Sequence, residues 1–242
     1  MNKTLIIIPA YNEEDSIAKV IKEVQVAATL HDVVVIDDGS QDSTGKITQF
    51  MGVNTISHPI NLGAGAAIQT GLIYACQNNY DIAVVVDGDG QHDPKEIPKL
   101  VDTLKERNLD VVIGSRFGGR AEYRTPLARR LGMHIFSLIT LLLSKAKIND
   151  ITSGFRAFNK KAIKYLINEF PLDFPDAELI ILLVFSGFKI KEIPVNIRPR
   201  LNGTSMYSAL RSFYYPLKVA ISIFAVLLRK VLSRKYKAVQ GE

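Results

Sequence analysis

A single cysteine, Cys76, stands among 242 residues. That scarcity excludes an intramolecular disulfide framework and any metal site built on clustered cysteines. Glycine (16) and proline (10) are too few for a collagen-like or low-complexity chain. The share of hydrophobic residues, 47%, against 22% charged, argues for a folded core instead of a disordered chain. Long apolar runs are missing as well. Residues 5–9 give way at once to Tyr11-Asn-Glu-Glu14, leaving no h-region for a secretory signal. The later stretch 219–228 is closed by Lys218 and Arg229, short of the roughly 18–20 apolar residues of a spanning helix. These absences predict a reducing, cytosolic setting.

Acids are absent from 193–241, which holds nine Lys or Arg, so the formal charge of +6 is local to that end. The remaining 21 basic and 24 acidic residues nearly balance. Because the basic residues flank an apolar stretch, with Tyr214-Tyr215 and Arg229-Lys230 at its borders, they suit the headgroup level of a membrane. The aromatics do not run along a basic face, so no nucleic-acid partner is expected. The implied location is peripheral, on the cytoplasmic face of the membrane. Simple packing, internal or between subunits of a homo-oligomer, is the competing account of the apolar stretches.

The first half alternates β-branched runs with amphipathic segments, which predicts an α/β fold with a mainly parallel sheet flanked by helices. Strands are expected at 5–8, 33–36, 54–57, 82–86 and 111–113. Ile17, Val20, Ile21, Val24 and Ala27 recur at helical spacing within 15–30, with Glu13-Glu14 near the positive end of that helix. In such sheets ligands bind beyond the carboxyl ends of strands, and three strand ends here lead into acids and turn formers.

Asp87-Gly-Asp89 offers two carboxylates to a hard cation such as Mg2+ or Mn2+ shared with a diphosphate. Gly88 and Gly90 would let the backbone turn both inward, and Gln91 or His92 would complete the shell. The same triplet also suits an ordinary Asp-Gly turn. Asp37-Asp38-Gly-Ser is either a nucleoside acceptor or the lead-in to a helix capped by Asp42 or Ser43. His58-Pro-Ile-Asn-Leu-Gly-Ala-Gly-Ala-Ala67 lacks the ending of a P-loop and the full dinucleotide spacing. It reads as small residues where a helix packs closely on the sheet.

Pro9-Ala-Tyr-Asn-Glu13, Asp37-Asp-Gly-Ser-Gln-Asp-Ser-Thr44, Asn61-Leu-Gly-Ala-Gly-Ala-Ala67, Asp87-Gly-Asp-Gly-Gln-His92, Gly114-Ser-Arg116 and Asp150-Ile-Thr-Ser-Gly-Phe-Arg156 occur in this order. Together they resemble family 2 glycosyltransferases of the GT-A fold, in the branch of dolichyl- and polyprenyl-phosphate mannose or glucose synthases. The resemblance implies a Rossmann-like catalytic domain over 1–206, including an interfacial helix region at 125–147, and a basic amphipathic, membrane-associated segment at 207–242. It implies an inverting transfer of hexose from a nucleotide-sugar such as UDP-glucose or GDP-mannose to polyprenyl phosphate, with Mg2+ or Mn2+. Pro9, Tyr11, Glu13, Ile36, Asp38, Asp87, Gly88 and Arg200 would bind the donor, and Asp87, Asp89 and Gln91 the metal. Catalytic roles would fall to Asp89, Arg116, Arg129 and Glu178, the two arginines meeting the lipid phosphate.

The chain departs from the synthases at Met206, where they carry a lysine, and at Met133, where some carry a serine. Two alternatives follow. A sugar-hydroxyl acceptor would need a base, Asp176 or Glu178, although both also suit the first turn of a helix. A non-enzymatic, membrane-recruited nucleotide-binding scaffold would need no metal clamp.

Overall fold

The computed structural model describes residues 2–117, 148–150, 153–171 and 177–198. In chain order these form β1 (Thr4–Ala10), α1 (Ile17–Ala27), β2 (Asp32–Asp37), α2 (Thr44–Phe50), β3 (Asn54–Ser57), α3 (Ala64–Gln77) and β4 (Ile82–Val85). A single 3-10 turn at Pro94–Glu96 leads into α4 (Ile97–Glu106), followed by β5 (Val111–Ser115), β6 (Arg156–Asn159), α5 (Lys160–Glu169), α6 (Ala177–Phe185) and β7 (Ile190–Pro194). The sheet order is β3-β2-β1-β4-β6-β5-β7. All neighbours run parallel except β6, which is antiparallel to both β4 and β5. The mainly parallel sheet is as expected, and the one reversed strand sits in its interior.

Alternation along β1 explains the layers, since successive side chains of a strand point to opposite faces. Leu5 and Ile7 join a core with α3, α5 and α6, while Ile6, Ile8 and Ala10 join a second core with α1 and α4. Helices thus cover both faces, which is why the central strands read as unbroken apolar runs. Small residues on α3 serve close packing, as the sequence suggested: a Cβ at Gly71 would collide with Cγ2 of Ile7 and lie 3.0 Å from its Cδ1.

α1 is shorter than the 15–30 segment and its first turn holds no acid. Glu13 and Glu14 lie just before it, near its amino end, where they also make loop contacts. The 125–147 and 207–242 segments lie outside the described residues. Among the described residues no helix is long and apolar enough to cross a membrane.

β1 has β2 on one side and β4 on the other. The chain therefore leaves β1 and β4 in opposite directions, and a crevice opens at their carboxyl ends. The Pro9–Glu13 and Asp87–His92 motifs occupy those two ends.

Candidate active site

The first two motifs are tied together by backbone-to-side-chain hydrogen bonds. The Asn12 amide donates to Ser40 Oγ (3.0 Å) and the Gln41 amide to Asn12 Oδ1 (2.8 Å). The Glu13 amide reaches Thr44 Oγ1 (2.8 Å), the Glu14 amide reaches Asp42 (3.1 Å), and Glu14 accepts from the Ser43 amide (2.9 Å). Asp42 also receives the amide and hydroxyl of Thr44, the first residue of α2 (2.9 and 2.6 Å). Burial alone would raise the Asp42 carboxyl, but the Thr44 hydroxyl and the amides of Thr44 and Glu14 outweigh it and hold the pKa below its ordinary value. Thus Asp42, not Ser43, supports the start of α2. Asn12 supports the bend with a positive φ of 53°, a conformation Asn tolerates better than most residues.

Ser16, which the sequence did not single out, joins this pair of loops to the third. Its hydroxyl lies 2.8 Å from the Gly88 carbonyl and 2.9 Å from Glu13 Oε2. Gly88 in turn donates to the Pro9 carbonyl (3.2 Å), and a Cβ there would stand 3.0 Å from that oxygen. Pro9, Glu13 and Gly88 are therefore brought together. Tyr11 is 40% exposed beside them in sequence.

Two other residues expected at the donor site are buried. Ile36 is 0% exposed, packed in the core against α3. Asp38 is 2% exposed. Its Oδ1 accepts from His58 Nδ1 (2.7 Å) and the Leu62 amide (3.0 Å), and its Oδ2 from the Gly63 amide (2.8 Å). Because Nδ1 faces a carboxylate, it carries a proton, and Nε2 lies 2.9 Å from the Thr70 hydroxyl. Asp38 thus pins the start of α3 and the His58–Gly63 loop to β2. Gly39 permits the contact, since a Cβ on it would lie 2.5 Å from the Ile60 carbonyl carbon.

Asp87 and Asp89 follow β4 with Gln91, all partly exposed. Asp89 Oδ1 accepts from the Gln91 amide (3.0 Å), which tightens the turn, and Gly90 takes a positive φ of 76°. His92 is buried and stacked on Phe155 with ring centroids 4.8 Å apart. Burial pulls its pKa down to about 4, so the ring is neutral. Its Nδ1 accepts the Asp87 amide (3.1 Å), which leaves the proton on Nε2. Neither ring nitrogen then offers a lone pair, and His92 drops out as a metal ligand. Among the described residues no cluster of three or more His, Cys, Asp or Glu is placed to hold a metal. Two carboxylates and an amide nonetheless fit Mg2+ or Mn2+, which bind through one or two carboxylates while substrate phosphates and water fill the remaining positions.

Arg116 does not present an open fork. Its Nε and Nη2 donate to the two oxygens of Asp150 (2.8 and 2.6 Å), and its amide donates there too (2.8 Å). The Asp150 side chain is 0% exposed. The side-on edge of the guanidinium, Nε with Nη2, is thus engaged by a carboxylate. Glu192 on β7, unremarked in the sequence, accepts from the amides of Asn149 and Asp150 and so holds the turn carrying Asp150. Burial raises its carboxyl above the ordinary range. Only its period-two position in a short strand could have hinted at this role. Glu178 sits in the first turn of α6, partly buried, the placement that favours an acid there for helix reasons. Arg129, Arg200 and Asp176 lie outside the described residues, as do Met133 and Met206.

The similarities of the chain follow this geometry. Residues 5–167 match the model of Glycosyl transferase family 2. The chain is 32% identical over 233 residues, 86% of its length, to the UDP-N-acetylglucosamine--dolichyl-phosphate N-acetylglucosaminyltransferase of Methanococcus voltae, 92% of which is covered. It is 28% identical over 220 residues to the polyprenol monophosphomannose synthase of Mycolicibacterium smegmatis, covering 85% of this chain and 81% of that one. In fold it matches glucosyl-3-phosphoglycerate synthase from Mycobacterium tuberculosis, solved with Mn2+ and UDP-glucose, at a TM-score of 0.70 and 20% identity, over 93% of this chain and 79% of the other. With a Rossmann-like sheet, acidic loops gathered at its switch point and a family match across two thirds of its length, the chain belongs to glycosyl transferase family 2.

Proposed function

We propose that this transferase moves a hexose from a nucleotide-sugar to a polyprenyl phosphate, with inversion, using Mg2+ or Mn2+. The observation that carries the proposal is the near full-length similarity to two enzymes whose names specify dolichyl phosphate and polyprenol monophosphomannose. The fold neighbour solved with Mn2+ and UDP-glucose supports the donor and metal class.

Asp87, Asp89 and Gln91 would hold the cation, which when bound offsets the charge that builds on the departing nucleoside diphosphate. Pro9, Tyr11 and Glu13 would line the donor's nucleoside end, with Asp38 acting at one remove by fixing the loop after β3. Arg200 would meet the donor phosphates and Arg129 the acceptor phosphate. A lipid phosphate oxygen is already anionic at pH 7, so the chain needs to align it more than to deprotonate it. Contact with the cytoplasmic face of a membrane, through the basic end of the chain, would bring the acceptor within reach.

The test offers radiolabelled UDP-glucose, GDP-mannose and UDP-N-acetylglucosamine separately to undecaprenyl and dolichyl phosphate in detergent. Label entering the organic phase with one donor is expected. Donor binding or slow hydrolysis without such transfer would sink the lipid-acceptor proposal and point to a sugar hydroxyl, with Asp176 and Glu178 the next residues to mutate.

A further inference from the structure

The carboxylate of Asp87 lies between two residues, His92 and Gly154. On one side is His92, whose Nε2 stands 3.5 Å from Asp87 Oδ2. Its other nitrogen accepts the Asp87 amide, so the single ring proton faces that oxygen. The ring has little freedom, since it is buried and stacked on the fully buried Phe155 at an interplanar angle of 13°, and the His92 backbone is bridged to Ile197. On the other side is Gly154, next to Phe155 in the chain. A Cβ there would lie 2.9 Å from Asp87 Oδ2 and 3.1 Å from Oδ1. Gly154 does not adopt a positive φ, so its backbone is open to other residues. What glycine supplies is room for the carboxylate.

We propose that His92 and Gly154, with Phe155 behind the ring, form a slot that orients Asp87 for the cation and its diphosphate. The proposal rests on Asp87 being a cation ligand. His92 and Gly154 are positioning residues here, in the way that hydrogen bonds from an outer shell orient ligating carboxylates and tune metal affinity.

The probe is Mn2+ alone, with free ion counted by electron paramagnetic resonance against the full chain in detergent. His92→Asn keeps an acceptor for the Asp87 amide and loses the donor to its carboxylate, whereas His92→Gln places a donor near the Nε2 position. Gly154→Ala inserts one methyl group. The expected result is Mn2+ affinity lower by about 10- to 100-fold in His92→Asn and Gly154→Ala, with partial recovery in His92→Gln. In an Asp87→Ala background, Gly154→Ala should change affinity no further, because its effect passes through that carboxylate. If Gly154→Ala does not fold, the Asp87→Ala/Gly154→Ala pair should restore folding, and failure to do so overturns the slot. Wild-type Mn2+ affinity in both single variants also overturns it. A wild-type chain that binds no Mn2+ overturns the cation assignment itself, and the slot with it.

Discussion

Asp150 is the residue whose removal should cost the fold most per atom. Breaking a buried pair by deleting one partner leaves the other charge uncompensated, at roughly 3–5 kcal/mol. Arg116 would then remain, only 17% of its side chain exposed, with its own amide deprived of its acceptor. Asp150→Ala and Arg116→Ala should therefore both lower the urea midpoint strongly, since each leaves a buried partner without its counter-charge. Equal midpoints for Asp150→Ala and wild type would show the pair to be dispensable. Asp89→Ala has the opposite signature. Its carboxylate is partly exposed, and the fold should persist. Transfer should fall by on the order of 100-fold or more, since a bound cation supplies several kcal/mol of charge stabilisation. Circular dichroism with the transfer assay separates the two signatures.

At the scale of elements, Asp110 joins the start of β5 to that of β7. It accepts from the Lys189 amide (2.8 Å) and Asn159 (2.9 Å), with Lys161 at 3.3 Å. Burial alone would raise its carboxyl, but those donors and the lysine outweigh it and hold the pKa below the ordinary 3.8. A depressed carboxyl contributes stability that is present above pH 3.8 and is lost as pH falls through the lower folded value. Asp110→Asn should cost about 1–3 kcal/mol at pH 7 and flatten this part of the acid limb, as urea unfolding from pH 7 to below 3 would record. An unchanged acid limb would contradict the role. Gly71→Ala is a second test at this scale. Alanine gains about 1 kcal/mol in helix propensity, but the new methyl meets the core-bound Ile7 on β1, and overpacking costs typically 1–3 kcal/mol. A net loss is expected in thermal melting, and a gain would mean that α3 can shift.

Much of this layer was legible because β1, β2, β4 and β5 carry apolar runs followed by turn formers, and α1 carries its spacing openly. β6 and β7 were not, for physical reasons. β6 is four residues long, begins with the buried Arg156 and ends with Asn159, so its sequence does not read as an apolar strand. β7 carries Lys191 and Glu192, and Glu192 turns to the amides of Asn149 and Asp150, a contact that spacing does not show. The site was legible in part for a similar reason. Acids at strand ends pointed to the loops after β1, β2 and β4, but the use of Asp38 on the amides of Leu62 and Gly63, or of Arg116 on Asp150, depends on which loops meet, and spacing along the chain does not encode that.

For the whole molecule, the charge separation is the feature that reaches beyond the fold. Nine basic residues and no acid occupy 193–241, but Arg198 is spent internally, its Nη1 on Glu23 (2.5 Å) and Nη2 on Asp93 (2.8 Å). The eight others remain the basis of the proposed membrane contact, each worth about 1 kcal/mol near an anionic surface. The chain should sediment with phosphatidylglycerol vesicles at low ionic strength and release in 1 M salt, where the Debye length falls to about 3 Å. Equal sedimentation with neutral vesicles in high salt would assign the contact to apolar insertion instead. The proposed convergence of the β1, β2 and β4 loops on one cation and a diphosphate is tested most directly by metal depletion. With the donor and polyprenyl phosphate that give transfer, a chelator should abolish organic-phase label, and excess Mn2+ should restore it in the wild type but not in Asp89→Ala. Transfer that survives depletion, or that Asp89→Ala supports at the wild-type rate, would contradict the account.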